Sequence, residues 1–205
     1  EKSITLKNFN SIKIKGQKGK TRSSELVKGK NFGNYANKLI NDSRKGALFD
    51  LRFGNGLTLK YLKMVGTLTD TSVPYLWWDN GINLGSSHNS VIAENAFYHF
   101  GDSALTISTD TDDNSKNINS ANHLVYNNFF FNIMQTSTTS DSGSSIGYNF
   151  LDNTIEHVKG AIKFSSRKEG AEFLNIMNNH IVSAGIQDGI ATNNGLEIVG
   201  VAMPS

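Results

Sequence analysis

Carboxylate, imidazole and amide side chains recur at fixed offsets from four asparagines in this 205-residue chain. The asparagines follow one another at intervals of 33, 25 and 26 residues: Asn95, Asn128, Asn153 and Asn179. Just before them stand Glu94, Asn127, Asp152 and Asn178, and four positions after them stand His99, Asn132, His157 and Ser183. An acid, a base and imidazoles along one surface could cut or remodel a sugar chain by general acid–base catalysis. We therefore treat Asp152, His99 and His157 as candidate catalytic residues and Glu94 as a candidate substrate-binding residue.

The two carboxylates of this set lie two repeats apart in the alignment. If the repeats stack as parallel strands, Glu94 and Asp152 are separated by roughly 10 Å. That distance is near the wide end of the range for the two carboxylates of inverting glycoside hydrolysis. The alternative is that these positions are ordinary exposed polar residues, because any such stack must cover its outside with polar side chains.

An acidic segment, TDTDDNSKNINSAN, spans residues 109–122 and predicts a long loop. Ca²⁺ takes six to eight oxygen ligands, which the alternating carboxylates could supply: Asp110, Asp112 and Asp113. Asp112 is also a candidate catalytic residue, and His123, at the start of the next strand, is a candidate substrate-binding residue. An EF-hand is rejected, because Ser115 and Ala121 stand where that loop requires Gly and Glu. The alternative is a solvated acidic loop.

Cations and large aromatic side chains form two further candidate sites. The segment KFSSRKEG offers Lys168 as a candidate catalytic residue and Arg167 as a candidate substrate-binding residue for an anionic sugar. The segment YLWWDN offers Trp77 and Trp78, whose flat rings could stack on sugar rings, as candidate substrate-binding residues. The alternatives are a solvated basic turn for the first segment and an aromatic plug or subunit contact for the second.

The composition restricts the classes of function. The chain has no Cys, which excludes disulfides, Cys-ligated zinc and a thiol nucleophile. A formal net charge of +2 does not indicate nucleic-acid binding. No apolar run approaches the roughly 18 residues that a membrane-spanning helix needs. The chain begins at Glu1, inside an apparent strand, and ends after another, so we expect a piece of a longer protein.

Short apolar segments must position these candidate residues. Three residues before the recurring asparagines stand Ile92, Val125, Phe150 and Ile176, and two residues after them stand Phe97, Phe130, Ile155 and Ile181. A second type of strand recurs as ALFDL, GINLG, ALTIS, AIKFS and GIATN, at residues 47–51, 81–85, 104–108, 161–165 and 189–193. A unit of this size cannot bury its apolar face alone and must stack on copies of itself. The pattern predicts stacked parallel coils in which each asparagine amide binds its counterparts above and below; the alternative is an antiparallel sandwich.

This pattern resembles the right-handed parallel β-helix of the pectate-lyase-like superfamily, over most of residues 47–200. The superfamily includes polysaccharide lyases and β-helix repeats of the copper-maturation type. The resemblance implies an all-β, single-stranded helix of about seven coils. We expect a single domain over residues 1–205, in which two regions break the repeat: an irregular insertion at 17–46 and the long loop at 109–122.

Within that superfamily, GLTLKYLKM and INLGSSHNSVIAENAFYHFGD are similar to the chondroitinase and alginate lyase branch. The resemblance implies a lyase or hydrolase acting on an extracellular anionic polysaccharide, with Ca²⁺ nearby and Lys168 matching the catalytic Lys of that branch. The matching Arg is missing, since the chain reads GIATNN there. The alternative is a non-catalytic surface protein, adhesin or phage tail-fibre segment that binds polysaccharide, as a trimer if phage-derived. Both of these functions imply a secreted or cell-surface location, or a periplasmic one.

Overall fold

The computed structural model describes residues 4–16, 25–27, 47–66, 79–108, 120–140, 145–165, 171–182, 186–187, 190–191 and 196–199. Within these ranges every regular element is a β-strand, which confirms the all-β prediction. The strands are β1 (Ile4–Lys7), β2 (Lys13–Lys15), β3 (Glu25–Val27), β4 (Phe49–Arg52), β5 (Thr58–Lys60), β6 (Lys63–Val65), β7 (Ile82–Gly85), β8 (Val91–Ala93), β9 (Ala96–Tyr98), β10 (Ser103–Ser108), β11 (Ser120–Tyr126), β12 (Phe129–Ser140), β13 (Ser145–Leu151), β14 (Thr154–Ser165), β15 (Ala171–Glu172), β16 (Asn175–Met177), β17 (His180–Val182), β18 (Ile186–Gln187), β19 (Ile190–Ala191) and β20 (Leu196–Val199).

Parallel pairing between successive repeats builds two large sheets, of 11 and 7 strands. We call one passage of the chain through these sheets a layer. Three faces result: face one holds β1, β4, β7, β10, the second halves of β12 and β14, and β20; face two holds β2, β5, β8, β11, β13, β15 and β16; face three holds β3, β6, β9, the first halves of β12 and β14, and β17. β18 and β19 form a separate antiparallel pair.

Side chains alternate along each strand, so every second residue points into the stack. Phe97 and Phe130 pair in register on face three, and their buried rings stack with centroids 4.8 Å apart. On face two, Ile92, Val125 and Phe150 form an equivalent buried column. Burying one such side chain contributes about 1.5–3 kcal/mol, so contact between layers is a principal source of stability. The columns predicted on either side of the recurring asparagines are confirmed.

The four asparagines form a continuous ladder at the corner between faces two and three. The amide oxygen of Asn128 accepts hydrogen bonds from the backbone N–H and the side-chain Nδ2 of Asn95, at 2.9 and 3.2 Å. Asn153 and Asn179 repeat this contact in the next two layers, and each ladder Nδ2 also donates to a backbone carbonyl, as Asn128 does to Ile92 at 2.9 Å. The predicted stacking of asparagine amides is confirmed.

Four details of the predicted layout differ from the structure. The segment at 136–140, TSTTS, forms the second half of β12 and supplies the face-one strand of its layer, although no apolar pattern marks it. The segment GIATN does not continue the face-one series, because β20 pairs with β14 in its place while β19 pairs with β18. β11 begins at Ser120, inside the predicted 109–122 loop, and β3 lies inside the predicted 17–46 insertion.

Candidate functional site

Several predicted site residues lie outside the described residues. They are Asp110, Asp112 and Asp113 of the acidic segment, Arg167 and Lys168 of the basic segment, and Trp77 and Trp78. The Ca²⁺ site and the role of Lys168 therefore stay predictions. Among the residues that the structure does describe, no group of three or more His, Asp or Glu side chains could hold a metal ion. The described candidates are Glu94, His99, His123, Asp152 and His157.

Glu94 and Asp152 belong to one column, at the residue that turns the chain just before the asparagine ladder. Glu94, Asn127, Asp152 and Asn178 all have a left-handed backbone, with φ of 55°, 52°, 53° and 55°. Asn and Asp are enriched in that conformation because their short polar side chains tolerate it, so the backbone accounts for much of this column's composition. Glu94 also contacts Lys60, with Oε1 3.8 Å from Nζ.

His99 and His157 belong to a second left-handed column, at the corner between faces three and one. His99, Asn132 and His157 have φ of 58°, 52° and 54°. Nδ2 of Asn132 lies 2.9 Å from Nδ1 of His99. An amide nitrogen can only donate, so Nδ1 of His99 accepts and the proton of the neutral ring lies on Nε2. Sequence analysis therefore correctly placed these three side chains in one column.

An aromatic cluster that the sequence analysis missed lies next to this column. Tyr98, Phe129 and Phe131 point outward from face three and are partly exposed. The centroid of the Tyr98 ring is 5.7 Å from that of Phe129 and 6.0 Å from that of Phe131. The rings of Phe129 and Phe131 are within 14° of parallel, at 6.2 Å.

Imidazole rings border the cluster on both sides of Phe131. The ring of His99 meets Phe131 edge-on at 5.9 Å, and the ring of His157 does so at 5.3 Å. We call the whole set the aromatic surface: Tyr98, Phe129 and Phe131, with His99, Asn132 and His157 at its rim. Strand alternation could have revealed it. In NAFYHF the outward Tyr98 follows the inward Phe97, and in NNFFFN the outward Phe129 and Phe131 flank the inward Phe130.

Cations lie beside the aromatic surface. Nζ of Lys63 sits 5.3 Å from the ring centroid of Tyr98, within cation–π range. Partial burial, together with the nearby Lys63 charge, lowers the pKa of His99 below its usual value, which favours the neutral ring that Asn132 binds. Across the asparagine ladder, on face two, Nζ of Lys60 lies 2.6 Å from the Tyr126 hydroxyl, and that hydrogen bond raises the pKa of Lys60.

His123 lies inside the stack, contrary to its proposed place on a substrate-binding surface. Its side chain is 1% exposed, and Nε2 lies 2.8 Å from the hydroxyl of Ser120. Burial, with a smaller contribution from His88, lowers the pKa of His123 to about 3, and a hydrogen bond to the Ser87 backbone opposes this shift. The ring is therefore neutral at ordinary pH, and the wall of the stack separates it from any polymer on the outside.

Comparison with protein-family models, curated proteins and solved structures gives no match to this chain. The functional argument accordingly depends on the geometry of the aromatic surface. No helix among the described residues is long and apolar enough to cross a membrane.

Proposed function

We propose that the chain binds a polysaccharide on the aromatic surface. The observation that carries the proposal is the outward cluster of Tyr98, Phe129 and Phe131, with neutral His99 and its Asn132 partner at the rim. Sugar rings have apolar faces that stack on aromatic side chains, and their hydroxyl groups need hydrogen-bond partners placed around that platform. The aromatic surface supplies both kinds of group on one rigid face.

An anionic polymer fits this surface best. Lys63 lies over Tyr98, and Lys60 lies beyond the asparagine ladder, so two ammonium groups lie near this surface in the same layer of the stack. A sugar carboxylate or sulfate beside Lys63 would gain a charge-assisted contact while its ring stacks on Phe131. We propose a secreted or cell-surface setting, or a periplasmic one, on the ground that such polymers occur outside cells.

We propose in addition that the stack is a right-handed parallel β-helix of the pectate-lyase-like kind. Parallel pairing between successive layers and the asparagine ladder support this assignment. Cleavage of the bound polymer by a lyase or hydrolase reaction is a second candidate function. It is favoured by exposed Asp152 sharing a column with Glu94, two layers and roughly 10 Å away.

The test is a binding titration against a panel of uronate-containing and capsular polysaccharides, with and without Ca²⁺. We expect Phe131→Ala to weaken binding about tenfold, since one stacked ring contributes roughly 1.4 kcal/mol. Phe173→Ala is the matched control, because Phe173 is 79% exposed and lies outside the aromatic surface. Equal affinities of both variants for every polymer would contradict the proposal.

The same samples distinguish binding from cleavage. A rise in absorbance from unsaturated sugar ends indicates a lyase, and new reducing ends without that rise indicate a hydrolase. If either appears, we expect Asp152→Asn or His157→Ala to reduce turnover while leaving unfolding unchanged, because both side chains are exposed. Unchanged turnover in both variants would assign cleavage to other residues and leave the binding proposal to the titration.

A further inference from the structure

Two buried polar atoms inside the stack have no hydrogen-bond partner within the described residues: Oγ of Ser90 and Nδ1 of His123. Both residues are 1% exposed. They lie on adjacent layers of face two, since Val91 pairs with Leu124 and the backbone N–H of Leu124 donates to the carbonyl of Ser90 at 2.8 Å. A buried polar group without a partner costs about 1–3 kcal/mol, so two neighbouring ones point to a shared partner.

The other ring nitrogen of His123, Nε2, already has a partner. Oγ of Ser120 lies 3.1 Å from the backbone carbonyl of Ser87, which can accept its proton. Oγ of Ser120 also lies 2.8 Å from Nε2 of His123, and which atom donates depends on the tautomer of the ring. In either tautomer Nδ1 needs a partner: a donor when the ring proton lies on Nε2, and an acceptor when it lies on Nδ1. A hydroxyl such as that of Ser90 can donate or accept.

Ser90 is smaller than its neighbours in the interior of the stack. Ser90 occupies a column of interior residues in which the neighbouring layers carry larger side chains: Leu57, His123 and Tyr148. Tyr148 carries its own polar partner, since its hydroxyl lies 2.8 Å from Oγ1 of Thr138 on the opposite wall. The smallest of these four side chains therefore stands beside the unpartnered Nδ1 of His123.

We infer that the stack holds one buried water molecule between Ser90 and His123. The water forms one hydrogen bond with Nδ1 of His123 and a second with Oγ of Ser90. Buried waters in proteins typically make two to four such bonds to polar groups that otherwise lack them. The site joins Ser90, His123, Ser120 and Ser87 into one hydrogen-bonded chain across two layers, and it is independent of the aromatic surface.

Two measurements on the whole chain test this site. In a crystal structure that resolves ordered water, we expect a peak within hydrogen-bonding distance of both Ser90 Oγ and His123 Nδ1. In ¹⁵N-labelled protein, we expect the NMR spectrum of His123 to show a cross-peak from its ring to a long-lived water.

The inference fails if the Ser90 hydroxyl bonds directly to Nδ1 with no water between them, or if the crystal structure shows no ordered water beside these two atoms. Ser90→Ala gives a second test, because the water then loses one of its two named partners. We expect its exchange with solvent to become at least several-fold faster in that variant. If Ser90→Ala does not fold, the two measurements on the unaltered chain still decide the matter.

Discussion

Face three is bordered by two corners that use similar polar residues in different ways. At the corner with face two, Asn95, Asn128 and Asn153 are buried, and each amide binds the layers on both sides of it. At the corner with face one, His99, Asn132 and His157 are at least partly exposed and border aromatic rings. Residues of the first corner hold the layers together through their amides. Residues of the second corner have a left-handed backbone and at least partly exposed side chains, which can contact a ligand.

The largest expected effect comes from a substitution in the asparagine ladder, at the corner between faces two and three. Asn128→Gly removes the acceptor of the Asn95 backbone N–H and the donor to the carbonyl of Ile92, both buried. We expect the free energy of unfolding to fall by about 2–4 kcal/mol, since buried partners are left without hydrogen bonds. Urea unfolding followed by circular dichroism measures this change. A loss below about 1 kcal/mol would contradict the structural role of the ladder.

The next effect tests whether interior His123 behaves like the ladder, as a residue that affects stability. Its pKa is lowered to about 3 in the folded chain, from 6.5. Between these values the unfolded chain binds more protons, so stability is complete above about pH 6.5 and falls as the pH drops toward 3, by at most about 1.4 kcal/mol per pH unit.

The control for this pH dependence is His123→Gln, which keeps a neutral polar side chain at the position. We expect the variant to lose stability less steeply than the unaltered chain over the same acidic range, in urea titrations at a series of pH values. Identical slopes would show that His123 does not contribute.

The smallest expected effect comes from the same substitution, Asn to Gly, at the corner between faces three and one. It shows directly how the two corners differ. Asn132→Gly removes a partly exposed side chain from a residue with φ of 52°, a conformation that Gly adopts without strain. We expect stability to change by less than about 1 kcal/mol, because relief of the left-handed backbone offsets the lost contact with His99. Destabilisation equal to that of Asn128→Gly would remove the distinction between the corners.

The sequence revealed the parts of the fold that repeat. A buried asparagine and its apolar neighbours recur because each layer must match the next, and that requirement leaves a visible spacing around Asn95 and Asn128. The strand at TSTTS could not be predicted, because its pairing with β10 and β14 depends on neighbouring layers. The prediction for His123 was wrong for a related reason: the residue type alone does not show whether a polar side chain lies inside the stack or on its surface.

The candidate site was predicted in part. The offset from each asparagine correctly placed His99, Asn132 and His157 in one column, because corner residues repeat with the layers. The rings of Tyr98 and Phe131 were overlooked, because aromatic residues beside inward Phe97 and Phe130 look like one apolar run. Only the alternation of side chains along β9 and β12 separates the buried rings from the exposed ones.

The most direct test of the central claim is a map of backbone amide NMR shifts during a titration. The ligand is an oligosaccharide prepared from the polysaccharide of the panel that binds best. We expect the largest shifts at Tyr98, Phe131 and Asn132, and none at Phe173. Shifts confined to residues outside the aromatic surface, or no binding by any oligosaccharide, would contradict the account.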